Sequence, residues 1–297
     1  MRTIFQILAF FLPAPFNVWL HRLAGAKIDR YVSIHMAVLI LAKNVEIKRD
    51  AKIKFGTMLN VRTFKLGRKS SIGFFTLAKG ESDLLIGDAC IIGPKCMINC
   101  SRQVVLDFYS GVGPGSYLYT HGSGMPVTEG YRSTFAPIHI KEKVWVNMRC
   151  TIGPGVTIER GSIILPGTNL IESVAAKRMV VGDPAKLSNF PVFLCPRKPG
   201  FLEKLANEIL EEYGGWMRET EGVNCHITDG IFRAKYRHRD VSISVGGNED
   251  IILCTSPGER REGMYFNLAD LTTDESRHPI KLKIEAFMRL RYGLIFL

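Results

Sequence analysis

The stretch Ile140–Leu170, IKEKVWVNMRCTIGPGVTIERGSIILPGTNL, carries an aliphatic residue at every sixth position: Ile140, Val146, Ile152, Ile158, Ile164 and Leu170. An α-helix repeats its face about every 3.6 residues and a strand every second residue, so neither produces this beat. A fixed six-residue repeat is the mark of a parallel β-helix of hexapeptides. Each hexad is then one short flat strand plus a turn, and three hexads close a triangular coil. The aliphatic residue points into the column and stacks on its equivalent one coil away. The beat recurs upstream in Ile28, Ile34 and Ile40, in Ile47, Ile53 and Leu59, and in Ile86, Ile92 and Ile98.

A second slot tests this reading. Four positions after each aliphatic residue stand Cys90, Cys96, Val144, Cys150, Val156, Ser162 and Thr168, all small or β-branched. Three of the seven cysteines are thereby read as small core residues. Gly87, Gly93 and Gly153 follow their aliphatic residues directly, which suits a sharp turn or an unusual φ.

The composition sets the surroundings of this frame. A chain of 297 residues with 46% hydrophobic and 23% charged residues reads as soluble and globular. No Cys-x-x-Cys pair or Cys/His cluster has metal-ligand spacing, so reduced thiols, a cytoplasmic location and no metal are expected. The net charge of +11 is concentrated: residues 1–80 hold 14 Lys/Arg against 3 Asp/Glu. Such a surplus is either a solvated face or suits an acidic partner. Nucleic acid is disfavoured, because interleaved aromatics and any known module are lacking. The N-terminal MRTIFQILAFFLPAPFNVWLHRLAGAKI is apolar but broken by Pro13 and Pro15. It is too interrupted to span a membrane and has no clear cleavage site. It either caps the next domain or lies as an amphipathic anchor on an anionic inner membrane face.

The beat stops at SYLYTHGSGMPVTEGYRSTFAPIHI, residues 116–140. Long loops in compact domains are usually functional or disordered. The loop at 120–137 contains one base suited to work near neutrality, His121.

The segment Ile140–Leu170, the closing VVGDPAK and the opening RLAGAKIDRYVSI together resemble the hexapeptide-repeat acyltransferases, in the sugar and polysaccharide O-acetyltransferase branch. The resemblance covers about residues 22–190. It implies a left-handed parallel β-helix, usually trimeric, that moves an acyl group from acetyl-CoA to an acceptor. It implies His121 as general base, on a loop reaching toward a neighbouring subunit. Asn99 and Asp107, eight apart, match a polar pair lining the acceptor site in that branch, and Asp107 is placed to orient the imidazole or bind a sugar hydroxyl. As turn caps, the same two residues would have no such role. Trp145, Arg149, Gly153, Lys177, Arg178 and Lys186 are implied to hold the CoA arm. Trp145 lines the acyl channel or fills a corner, and His139 is read as an outward-facing surface or interface residue.

Three regions follow: an apolar helical segment 1–27, the β-helix 28–190, and a C-terminal α+β appendage 191–297. In the last, Phe201–Thr220 reads as an amphipathic helix, IFRAKYRH, VSISV and DIILCTS as strands, residues 246–250 as a turn, and Ile280–Tyr292 as a helix. Cys225, His226, Asp229 and His238 lack metal spacing. The expected function is O-acetylation of a sugar hydroxyl in surface polysaccharide or lipopolysaccharide biosynthesis by a cytoplasmic homotrimer. N-acetylation of an amino sugar nucleotide and a non-catalytic β-helix scaffold are the alternatives.

Overall fold

The computed structural model describes residues 2–122, 128, 130, 133–188, 200–228, 231–236, 239–246, 252–255, 264–275 and 279–297. Residues 123–127, 129, 131 and 132 of the 120–137 loop, Asp229, His238 and residues 247–250 of the expected turn lie outside them. The chain forms two compact units, Met1–Phe193 and Leu194–Leu297.

The first unit is a parallel β-helix with three stacks of short strands. One stack aligns Ile40, Leu59, Ala78, Ile98, Leu118, Ile152 and Leu170 in register. The second aligns Ile28, Ile47, Leu66, Ile86, Leu106, Ile140 and Ile158. The third runs Ile34, Ile53, Ile72, Ile92, Val112, Val146, Ile164 and Val180. All lie in one buried column. The six-residue beat is therefore the spacing from one face to the next, and its sequence signature is the core itself.

The small slot does more than save space. Ser70 Oγ donates to Gly87 O at 2.7 Å, Thr76 Oγ1 to Gly93 O at 2.9 Å and Ser116 Oγ to Asn147 O at 3.0 Å. Cys90, Cys96 and Cys150 make the same thiol contacts, to Asp107 O, Gly113 O and Leu165 O. These side chains reach the carbonyl of the next coil at corners where strand pairing lapses. They satisfy buried backbone groups that would otherwise cost free energy.

The glycines differ from expectation. Gly93 is not in the left-handed region. A Cβ there would stand 2.6 Å from Pro114 N, so the neighbouring coil's backbone, not φ, excludes a side chain. Left-handed φ instead falls two residues later, at Ala89, Lys95 and their equivalents, mostly on non-glycine residues. The stacked coils over-determine those turns.

Two helices, α1 (Arg2–Phe10) and α2 (Phe16–Leu23), precede the first coil. Pro13 and Pro15 lie between them, as the sequence requires. The hairpin packs on the Leu39–Ile47 strand and the first turns. Gln6 Nε2 donates to Ala42 O, and Asn17 Nδ2 to Ile34 O. The segment thus covers the first coil, its inward polar side chains bonded to that coil's carbonyls.

The second unit has helices α3 (Phe201–Glu221) and α4 (Pro279–Tyr292) and a six-stranded antiparallel sheet in sequential order. Ile209, Leu210, Tyr213 and Met217 of α3 pack on Phe232, Ile243 and Phe287. This is a small α+β fold, and the two helices lie within a residue of their expected bounds.

Candidate active site

The departures from the beat fall at one corner. From the first face to the second, the inward residues are spaced 7 (Ile40 to Ile47), 7 (Leu59 to Leu66), 8 (Ala78 to Ile86), 8 (Ile98 to Leu106) and 22 (Leu118 to Ile140). Spacing at the other two corners stays at 6 through these coils. The slip before Leu106 and the long loop therefore belong to the same edge of the prism. His121 stands on that edge.

Its surroundings are built by three short pieces. The strand Met97–Asn99 ends in Asn99, which is 7% exposed. Its Oδ1 accepts from Ser101 N at 3.1 Å and Thr120 Oγ1 at 2.9 Å, and lies 2.9 Å from His121 Nδ1. The backbone N–H of Ser101 can only donate, which identifies that atom as the amide oxygen. His121 Nδ1 must then carry the proton, and Nε2 carries the lone pair. The second piece is the loop's return: the strand Thr134–Phe135 pairs antiparallel with His121–Gly122, and Phe135 stacks on the imidazole at 5.7 Å and 19°. Arg102 lies over the other ring partner, its guanidinium 5.3 Å from the Phe135 centroid. Thr120 Oγ1 accepts from Arg102 N at 2.9 Å and ties the third piece in. The ring is thus oriented by an amide on one edge and an aromatic face on the other, and the residue stays partly exposed.

Asn99, expected to line the acceptor site beside Asp107, is instead brought to His121 and orients its ring. Asp107 goes elsewhere. It follows the strand Val104–Leu106, and its Oδ2 lies 2.7 Å from Nε2 of His139, the outward residue of the strand Ile138–Ile140. Both groups are about one third exposed. A carboxylate–imidazole pair thus stands on the second face, and the residue that orients His121 is an amide.

The remaining candidates spread around the prism. Trp145 lies flat across Gly111 of the preceding coil, where a Cβ would meet the indole at 2.1 Å, and its outer face is 40% exposed. Lys177 and Arg178 are exposed on the corner leading into that same face, Lys177 with φ 57°. Arg149, φ 56°, is exposed on the next corner. Gly153 is buried and donates to Leu170 O at 2.8 Å. It opens the turn directly after the His121 coil, where a Cβ at Gly155 would touch Ala136 Cβ at 3.3 Å. Lys186 is exposed on the antiparallel edge strand Lys186–Leu187. Of these, only the Gly153 turn shares the His121 corner. Ser101, Thr120 and Phe135 were not foreseen. Thr120 adjoins His121 in sequence, but Phe135 reaches it only through the pairing of the loop's two ends.

No family model matches the chain. Over 103 residues it is 40% identical to a candidate acetyltransferase of Schizosaccharomyces pombe, covering 35% of this chain and 41% of that protein. It is 28% identical over 102 residues to the candidate colanic acid biosynthesis acetyltransferase WcaF of Escherichia coli, covering 34% and 56%. The stacked hexads and this repeat match make the coil domain similar to the hexapeptide-repeat acetyltransferases. The chain spans about half the length of the curated relatives it matches. Among solved structures, the polysialic acid O-acetyltransferase OatWY aligns at TM-score 0.49 and 16% identity, covering 58% of this chain and 87% of that one. The hexapeptide-repeat acetyltransferase VCA0836 of Vibrio cholerae, complexed with acetyl-CoA, aligns at TM-score 0.38 and 22% identity, covering 41% and 68%.

Proposed function

We propose that the protein is an acyl-CoA-dependent O-acetyltransferase acting on a sugar hydroxyl in surface polysaccharide or lipopolysaccharide assembly, with His121 as general base. The observation that carries this reading is the Asn99–His121 pair, which in the neutral imidazole puts the proton on Nδ1 and the lone pair on Nε2, on a partly exposed residue. A sugar hydroxyl is far too weak an acid to lose its proton unaided. Nε2 takes that proton as the oxygen attacks the thioester carbonyl, and returns it to the departing thiolate sulfur. Asn99 holds the ring in the tautomer this needs and accepts its Nδ1–H throughout. Phe135 restricts the ring plane.

Trp145, Arg149, Gly153, Lys177, Arg178 and Lys186 are the groups suited to the acyl donor. A flat exposed indole suits the apolar parts of CoA, and exposed cations suit its phosphates. Their placement off the His121 corner supports a homotrimer, in which each site lies between one chain's His121 edge and a neighbour's donor-binding edge. Asp107, paired with His139, is a candidate for an acceptor hydroxyl at the border of that site. The protein works in the cytoplasm, where acetyl-CoA is made.

His121→Ala should lower kcat for transfer from acetyl-CoA by about 10²–10⁴-fold. Assayed on a panel of glycans and nucleotide sugars, a loss under tenfold would remove His121 as the base. Activity confined to amino sugars would favour the N-transfer alternative.

A further inference from the structure

The α1–α2 hairpin is amphipathic in the wrong sense for a cap that faces water. Its buried side chains include the polar Gln6, Asn17 and His21, while Ile4, Leu8, Phe11, Phe16, Trp19 and Leu23 are 48–68% exposed. The spacing is helical on both arms: 4, 8, 11 on the first and 16, 19, 23 on the second. The inward polar groups are explained, since Gln6 and Asn17 donate to carbonyls of the first coil. The outward apolar face has no such explanation in water, where scattered single apolar residues are normal but a contiguous patch marks an interaction surface.

The charge around the patch indicates what covers it. Lys27, Arg30 and Lys43 are exposed on the coil that carries the hairpin. None of them makes a side-chain ion pair among the described residues. Together with the surplus of 14 Lys/Arg over 3 Asp/Glu in residues 1–80, they make this end strongly basic. An apolar helical face with exposed aromatics, bordered by cations, matches a lipid interface, where rings sit at the headgroup level and Lys/Arg meet anionic phosphates. No helix among the described residues is long and apolar enough to cross a membrane, so the hairpin would lie in the plane of the surface. We propose that the outer face of the α1–α2 hairpin docks on an anionic lipid bilayer, with the first coil against the membrane. This inference is independent of the catalytic reading, because its readout is vesicle binding.

The test is flotation of the full chain with phosphatidylglycerol/phosphatidylcholine vesicles and with pure phosphatidylcholine vesicles. Binding to the anionic vesicles should exceed binding to the neutral ones and weaken as salt is raised. Phe16→Glu/Trp19→Glu should lower it at least about tenfold without changing the thermal midpoint, and Lys27→Glu/Arg30→Glu should lower it while leaving the apolar face intact. The absence of anionic-vesicle binding, or binding that both variants retain, overturns the proposal. So does a change in oligomer mass or a large fall in thermal midpoint on Phe16→Glu/Trp19→Glu, which would make the face a protein–protein contact.

Discussion

Two histidines show how one residue type is put to opposite uses. His121 has an amide at Nδ1 and an aromatic face against its ring, is partly exposed, and on the proposed function serves as a base. His21 of α2 is fully buried, and neither ring nitrogen has a hydrogen-bond partner. Burial pushes its pKa down from 6.5 to about 4. Between those values the unfolded chain binds a proton that the folded chain refuses. Stability therefore falls as pH drops from about 6.5 toward about 4, by up to roughly 3 kcal/mol, and this contribution levels off below. His21→Leu removes this term, so the thermal midpoints of the two proteins should converge, or cross in the variant's favour, as pH falls through that window. A constant difference between pH 7 and pH 4 would show that His21 stays unprotonated in both states or is solvated in the fold.

At the scale of the element, each corner of the coil has its own device. Two corners repeat a left-handed residue and a small hydroxyl or thiol that reaches the next coil. The third corner abandons the spacing and holds the candidate site. Cys90, Cys96 and Cys150 belong to the first kind, and Cys100 lies buried on the third corner. Burial raises the thiols of Cys90, Cys96 and Cys150, and pushes Cys100 up to about 12. A buried thiol is a poor nucleophile. Peptides containing these four residues should remain unlabelled by iodoacetamide in the folded protein at mildly alkaline pH and label fully in denaturant. Rapid labelling of the native protein at Cys90 or Cys150 would mean that the coils open locally. The glycine pattern was read correctly as a constraint but for the wrong cause: at Gly93 the limit is the approach of Pro114 N, a contact between residues 21 apart.

At the scale of the molecule, the stacked coils bury one continuous column, with a helical hairpin at one end. Each coil touches chiefly its neighbours, so the end coils depend on their caps. On the proposed function, the surface of this prism binds acyl-CoA. A ligand that binds only the folded chain at about 100 times its Kd stabilises it by about 2.7 kcal/mol. Acetyl-CoA at saturation should therefore raise the thermal midpoint by several degrees, and Arg178→Glu should reduce the rise. No shift at any concentration would favour a scaffold over an enzyme. The C-terminal unit, with its own core around Tyr213, Phe232 and Phe287, carries no site that the sequence or the described residues assign.

The hexad pattern by itself determined the β-helix, its inward residues and its small slots, because stacking imposes one rule on every coil and repetition makes that rule visible. It also marked the interruption at His121, since a break shows only against a beat. Tertiary structure alone decided that the irregular spacings share one corner, that Asn99 rather than Asp107 orients the imidazole, and that Phe135 covers it. It likewise decided that the N-terminal helices bury their polar residues and expose their apolar ones. Those facts depend on which coil lies above which and on which strand the loop's return rejoins. Contacts between residues 17 to 36 positions apart, such as Asn17 with Ile34, Asn99 with His121 or Gln6 with Ala42, leave no local mark in the chain.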